Sequence, residues 1–125
     1  MVSIHDIEKM STVDELKDAA QEYNWDDGFA IPIIIANHRQ CDLSVALSLF
    51  WLAEAIVWFT GEVKANEYNQ PWASFCSLIT NRILSGHYEV GSGGFTCPLT
   101  KVQVFKYKKQ GVPPVLLSNI EAANA

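Results

Sequence analysis

Apolar positions follow a helical period through most of the first 86 residues. Val13, Leu16, Ala20 and Tyr23 recur on one helical face, while Asp14, Lys17, Asp18 and Glu22 take the other, which predicts an amphipathic helix. Thr12-Val13-Asp14-Glu15 opens it with capping-box spacing: the hydroxyl can accept the N3 amide and the carboxylate can reach back. Upstream, Ser3 and Asp6 can cap a short opening turn that runs to about Met10. Asn24-Trp25-Asp26-Asp27-Gly28 breaks the pattern with side chains suited to turns. A second helix follows from Gly28 or Ala30 to His38. Its β-branched run Ile33-Ile34-Ile35 also suits a short strand, but Asp26 and Asp27 lie where a helix dipole favours negative charge.

Asp42 is placed to cap a third helix over 43–59, with Gly61 just past its end. Leu43, Val45, Leu47, Leu49, Phe50, Leu52, Ile56, Val57 and Phe59 cover most of its circumference, the pattern of a helix packed on several sides. A polar linker, Glu62 to Gln70, leads to a fourth helix that starts at Pro71 and ends at Gly86. The pattern then changes. Gly91-Ser92-Gly93-Gly94 reads as a flexible loop, and residues 101–107 alternate with period two, as a half-buried strand does. Val112-Pro113-Pro114-Val115 reads as extended and residues 121–125 as a loose tail. The expected fold is mostly α: a single domain over 1–120, with four to five helices around the apolar helix 43–59 and a short β or extended element near 101–107.

Charge changes this picture because it is uneven. Residues 1–62 hold eleven acidic and three basic side chains, whereas residues 63–125 hold three acidic and six basic ones. The total of −5 disfavours general nucleic-acid binding, since phosphates repel an acidic surface. Lys101, Lys106, Lys108 and Lys109, interleaved with Phe105 and Tyr107, are the exception; they read as a solvated edge strand rather than a nucleic-acid patch. The N-terminus lacks the basic and apolar regions of a signal peptide, and the stretch Val45 to Phe59 is too short to span a bilayer, so a cytoplasmic location is expected.

Candidate chemistry is sparse. Three cysteines, Cys41, Cys76 and Cys97, without a CxxC pair, suit reduced thiols rather than a disulfide framework. His38, Cys41, Asp42, Asp26 and Asp27 have residue types that suit a metal, and His38-x-x-Cys41 is a ligand-like pair, but no second pair has metal spacing. Capping for the aspartates, core packing for Cys41 and a helix end for His38 account for the same residues. No catalytic signature surrounds any cysteine, and Pro98 soon after the glycine loop argues against a phosphate loop. No metal and no cofactor are expected. Four tryptophans, Trp25, Trp51, Trp58 and Trp72, give large burial per residue and suit core or interface anchors.

Glu15-Leu16, Asn24 to Gly28, Cys41-Asp42-Leu43, Ala46-Leu47 and Leu84-Ser85-Gly86 with Tyr88 together resemble a bacterial family of small helical proteins known as a domain of unknown function. The resemblance covers roughly residues 12–88. It implies a bacterial origin and a compact α fold, and supplies no catalytic residues.

Small size, an acidic N-terminal half and spare aromatics point to a non-catalytic binding protein, an antitoxin-like immunity protein that masks a basic toxin. The expected partner face carries Asp14, Asp18, Glu22, Asp26 and Asp27. The alternatives are a small enzyme or metal-binding protein using Cys41, His38 and Asp42, or a structural homo-oligomer.

Overall fold

The computed structural model describes residues 3–123, and the fold is mostly α. Among the described residues seven α-helices pack together: α1 (Ile4–Glu8), α2 (Val13–Glu22), α3 (Ala30–Asn37), α4 (Leu43–Leu52), α5 (Ala55–Phe59), α6 (Gln70–Leu84) and α7 (Lys101–Lys109). Two short 3-10 turns, Trp25–Asp27 and Pro114–Leu117, complete them. Among the described residues extended pairing is limited to one antiparallel bridge between Phe95 and Ile120. Among the described residues no helix is long and apolar enough to cross a membrane.

The centre is α4, which packs against α2, α3, α5 and α6. Every residue from Ser44 to Phe50 is buried, as the all-round apolar pattern requires. Its two buried hydroxyls are satisfied locally. Ser44 donates to Asp42 Oδ1 at 2.6 Å and Ser48 donates to the Ser44 carbonyl at 2.9 Å. Phe50, Phe75, Leu16, Ile35, Ile79 and Leu116 fill the surrounding core. Each such side chain contributes about 1.5–3 kcal/mol relative to exposure.

The expected central helix 43–59 is interrupted. Glu54 adopts a left-handed backbone, φ 57° and ψ 37°, and separates α4 from α5. A non-glycine residue in this region carries about 1–2 kcal/mol of strain. Trp72 supports the break by donating its indole N–H to the Ala53 carbonyl at 2.8 Å. Trp25 and Trp51 act similarly, donating to the carbonyls of Ala20 at 3.1 Å and Leu116 at 3.2 Å. Three of the four indoles therefore tie one segment to another.

Caps follow the sequence at α1, α2 and α4. Ser3 and Asp6 form a reciprocal capping box, and Thr12 accepts the Glu15 amide. Glu15 reaches back one residue further than expected, to the Ser11 amide at 3.3 Å. Asp26 and Asp27 do not open α3. They belong to a 3-10 turn capped by Asn24, and α3 starts later, at Ala30, without a side-chain cap.

The C-terminal third departs most from expectation. Residues 101–107 form no strand; they lie in α7. Thr100 accepts the Gln103 amide at 3.2 Å, and Gln103 accepts the Thr100 amide at 2.8 Å, so a capping box nucleates the helix. Lys106, Lys108 and Lys109 sit in its last turn, where the dipole favours cations. Val104 and Tyr107, three residues apart, are its only half-buried side chains. This spacing serves a helix as well as the apparent alternation. Pro114–Leu117 winds into a 3-10 turn instead of staying extended, and buries Leu116 and Leu117.

The glycine loop is not open. The Gly93 amide donates to Asp42 Oδ2 at 3.1 Å, and Gly93 is buried. A Cβ at Gly93 would collide with Ser44 Oγ and lie 2.6 Å from Val13 Cγ1; one at Gly91 would lie 2.7 Å from Asp42 Oδ2. The loop approaches too closely for any side chain. Residues 121–123 run beside it, with the Ala123 amide donating to the Ser92 carbonyl at 3.0 Å. Residues 124 and 125 of the expected loose tail lie outside the described residues.

Gly93→Ala is expected to lower the unfolding free energy by about 1–3 kcal/mol through overpacking. Ser92→Ala, at an exposed neighbour, is expected to stay within about 0.5 kcal/mol. Urea unfolding followed by circular dichroism checks both; equal stability of the two variants would contradict the clamped loop.

Candidate functional site

The five predicted partner residues all reach solvent. Asp14, Asp18 and Glu22 follow one another at four-residue spacing along α2, while Val13, Leu16, Ala19 and Ala20 on its other side are buried. Asp26 and Asp27 stand on the turn that follows. The stripe is thus displayed by a helix fixed to the core.

The turn is fixed from within. The Asn24 side chain accepts the Asp26 amide at 3.1 Å, and Tyr23 Oη donates to the Gly28 carbonyl at 2.8 Å. Gly28, at φ 100° and ψ −167°, holds a conformation that side-chain-bearing residues resist. Trp25 packs edge-on against Tyr23, Phe29 and Phe75, with ring centroids 5.9, 6.0 and 5.8 Å away. Burial, followed by the Asp27 charge, pushes the Tyr23 phenol above its ordinary range.

The Cys41, His38 and Asp42 set does not converge. His38 Nδ1 accepts the Gln40 amide at 3.0 Å, which occupies that nitrogen in a helix-end turn. Asp42 is 8% exposed, and its carboxylate accepts from Ser44 Oγ, the Val45 amide and the Gly93 amide. It is committed to structure. A cleft of ≈ 350 Å³ opens beside it, between Arg39, Cys41, His87 and Glu89. Among the described residues no three His, Cys, Asp or Glu side chains are grouped to hold a metal ion.

The thiols are free. Burial, reinforced by the Asp42 charge and partly offset by Arg82, pushes Cys41 up to about 12. Burial likewise pushes Cys76 up to about 12 and raises Cys97. All three are therefore held as neutral thiols near neutrality, and the helix end after Cys41 does not reverse this.

Sequence reasoning missed a groove of ≈ 490 Å³ beside the turn. Trp25, Asp26 and Phe29 line one side, Glu54 and the adjoining α4–α5 break another, and Tyr68 and Trp72 a third. Three separate segments build it, so no local motif announces it. Tyr68 was the available signal: an aromatic in the polar linker, 88% exposed.

The span from α2 to α6 carries the acidic stripe, the turn and the groove. The chain belongs to the DUF4274 family, a domain of unknown function, which matches residues 11–84. No curated protein and no solved structure matches the chain.

Trp25→Ala is expected to destabilise the protein by about 3 kcal/mol, because it empties the aromatic cluster. Asp26→Ala, at an exposed carboxylate, is expected to stay within about 0.5 kcal/mol. Thermal and urea unfolding of the two variants measures the contrast.

Thiol burial also fixes a pH dependence. Cys41 and Cys76 move from an ordinary 9.0 to about 12 in the fold. A raised folded pKa contributes stability that is complete below pH 9 and is lost as pH rises from there to about 12. Iodoacetamide is expected to label the native protein slowly at pH 7.5 and all three cysteines rapidly in urea. Fast native labelling of one cysteine, centred well below the reference thiol value of about 8.5, would contradict this.

Proposed function

We propose that the protein is a non-catalytic binding protein of the bacterial cytoplasm, an immunity protein of antitoxin type that masks a basic toxin. Its contact face is the acidic stripe Asp14, Asp18 and Glu22, extended by Asp26 and Asp27. The observation that carries this reading is a local conflict in α2. Asp14 and Asp18, and then Asp18 and Glu22, are like charges at i, i+4, a spacing that destabilises a helix by about 0.2–0.5 kcal/mol per pair. Asp14 is favoured by the helix N-terminus, but Glu22 lies at the end where the dipole disfavours anions, and the last turn holds no base. Lys17 is the sole base within α2, and its Nζ donates to the Gly94 carbonyl. Exposed acids kept at the unfavourable end of a helix suit a basic partner outside the chain.

A basic partner would relieve this repulsion and be steered toward the face. The rigid backing of the stripe and turn lowers the ordering cost of association. Thiols held protonated by burial favour this reading over thiol chemistry.

The test uses the product of the neighbouring gene as the candidate toxin. Binding to this protein is expected to weaken steeply between about 50 and 300 mM salt, and to drop on charge reversal by Asp18→Lys and Glu22→Lys. Co-expression is expected to protect cells from the toxin. Salt-indifferent binding would overturn the acidic-face mechanism, and absence of protection would overturn the immunity reading.

A further inference from the structure

The groove between the turn, the α4–α5 break and the start of α6 has a definite chemistry. Trp25, Phe29, Tyr68 and Trp72 supply aromatic surface, Asp26 and Glu54 supply carboxylates, and no basic side chain lines it. Both indole N–H groups are spent inside the fold, on Ala20 and Ala53 carbonyls. The two tryptophans therefore offer ring carbon rather than donors. A further polar side chain at the rim, Asn69, donates to the Lys64 carbonyl at 3.0 Å and is also committed. What remains is aromatic surface, the Tyr68 hydroxyl and two negative acceptors, in a groove of ≈ 490 Å³ that is large enough for one long side chain.

We propose that this groove takes an arginine side chain of the protein partner, an inference that rests on the acidic-face reading above. A cation near aromatic rings is attracted by their quadrupoles, and carboxylates beside them add charge complementarity. Arginine suits the groove better than lysine. Its guanidinium is planar, weakly hydrated and able to stack on a ring while its edge donates to carboxylates. Tyr68 is the exposed wall: its backbone amide is held by Asn66 Oδ1 at 2.8 Å, and the residue stands 88% exposed at the mouth. A partner arginine would cover it. Asp26 belongs both to the groove and to the acidic face, so one partner can engage both.

The full chain is titrated with a blocked tri-arginine peptide, its tri-citrulline counterpart and a tri-lysine peptide, while the four tryptophan indole N–H signals are followed by NMR. Single Trp→Phe variants at positions 25, 51, 58 and 72 assign the four signals. Saturable shifts of Trp25 and Trp72 are expected with tri-arginine, with Trp51 and Trp58 unmoved. Glu54→Gln, at an exposed position, is expected to weaken binding about fivefold, and tri-lysine to bind about threefold more weakly. Asp18→Asn, outside the groove, is expected to change it less than about twofold. Equal shifts with tri-citrulline, shifts of Trp51 or Trp58 instead, or an unaffected Glu54→Gln variant would overturn the groove proposal. Binding that responds to Asp18→Asn and not to Glu54→Gln would overturn the groove while leaving the acidic face standing. Groove binding as expected, together with no toxin binding in the preceding test, would instead remove the acidic-face reading alone.

Discussion

One buried carboxylate holds two parts of this protein in register. Asp42 starts α4 by accepting the Val45 amide at 3.1 Å, and it fixes the glycine loop through the Gly93 amide at the same distance. Its third partner, Ser44 Oγ, lies between them. A buried carboxylate is tolerated only where hydrogen bonds and a helix N-terminus replace lost water, and Asp42 has both. The arrangement has consequences at each end. The helix it opens is the one on which α2, α3, α5 and α6 pack. The loop it closes carries the chain to the Phe95–Ile120 bridge and on to the segment that buries Leu116 and Leu117.

Several residues that act on their own few neighbours were readable. Thr12 and Asp42 cap the helices predicted from them, His38 ends α3, and the all-round apolar run 43–50 is buried. The misreadings of the glycine loop and of the central helix share a cause, a deciding contact that lies elsewhere, whereas that of residues 101–107 is local. Residues 101–107 alternate like a strand, but among the described residues no strand stands beside them to pair with, and the capping box at Thr100 and Gln103 favours a helix. Gly91 to Gly94 look free until Asp42, some fifty residues earlier in the chain, is seen to bind Gly93. The break at Glu54 is invisible because glutamate is an ordinary helix former; the support comes from Trp72 across the groove. Of the candidate site, the acidic stripe was legible as helical spacing. Its groove was not, since Glu54, Tyr68 and Trp72 meet Trp25 only after folding.

The charge distribution acquires meaning from this architecture. Acidic residues on α2 sit on a surface whose underside is core, so the helix cannot rotate or bend to spread the repulsion. The bases are concentrated at α7, which has no buried residue and leaves Val102 and Phe105 more than half exposed. Lys109 covers part of Phe105, 5.4 Å from its ring centroid. Neutralisation within the chain would have required bases interleaved with acids along α2, the common solution for a solvated helix. Segregation along the chain instead leaves the α2 acids without interleaved bases, the condition under which the basic partner proposed above would be steered before contact.

The family span and the folding unit are not the same object. Residues 11–84 contain the acidic stripe, the turn, the groove and the central helix. They lack Ile7, Tyr88, Val112, Leu116 and Leu117, all of which belong to the buried core. They also lack Gly93, the distant partner of Asp42. Segments on both sides of the span therefore close the core, and Trp51 and Tyr88 tie the C-terminal one to it, through the Leu116 carbonyl at 3.2 Å and the Ala36 carbonyl at 3.0 Å. The division is physical. Surface features that need only local backbone geometry and one helix face lie inside the span. The flanks contribute apolar area and the hydrogen bonds that satisfy Asp42 and an indole, without adding a side chain to the groove or to the acidic stripe. The recognition surface proposed above would gain from such flanks, because contacts made behind it fix its geometry before a partner arrives.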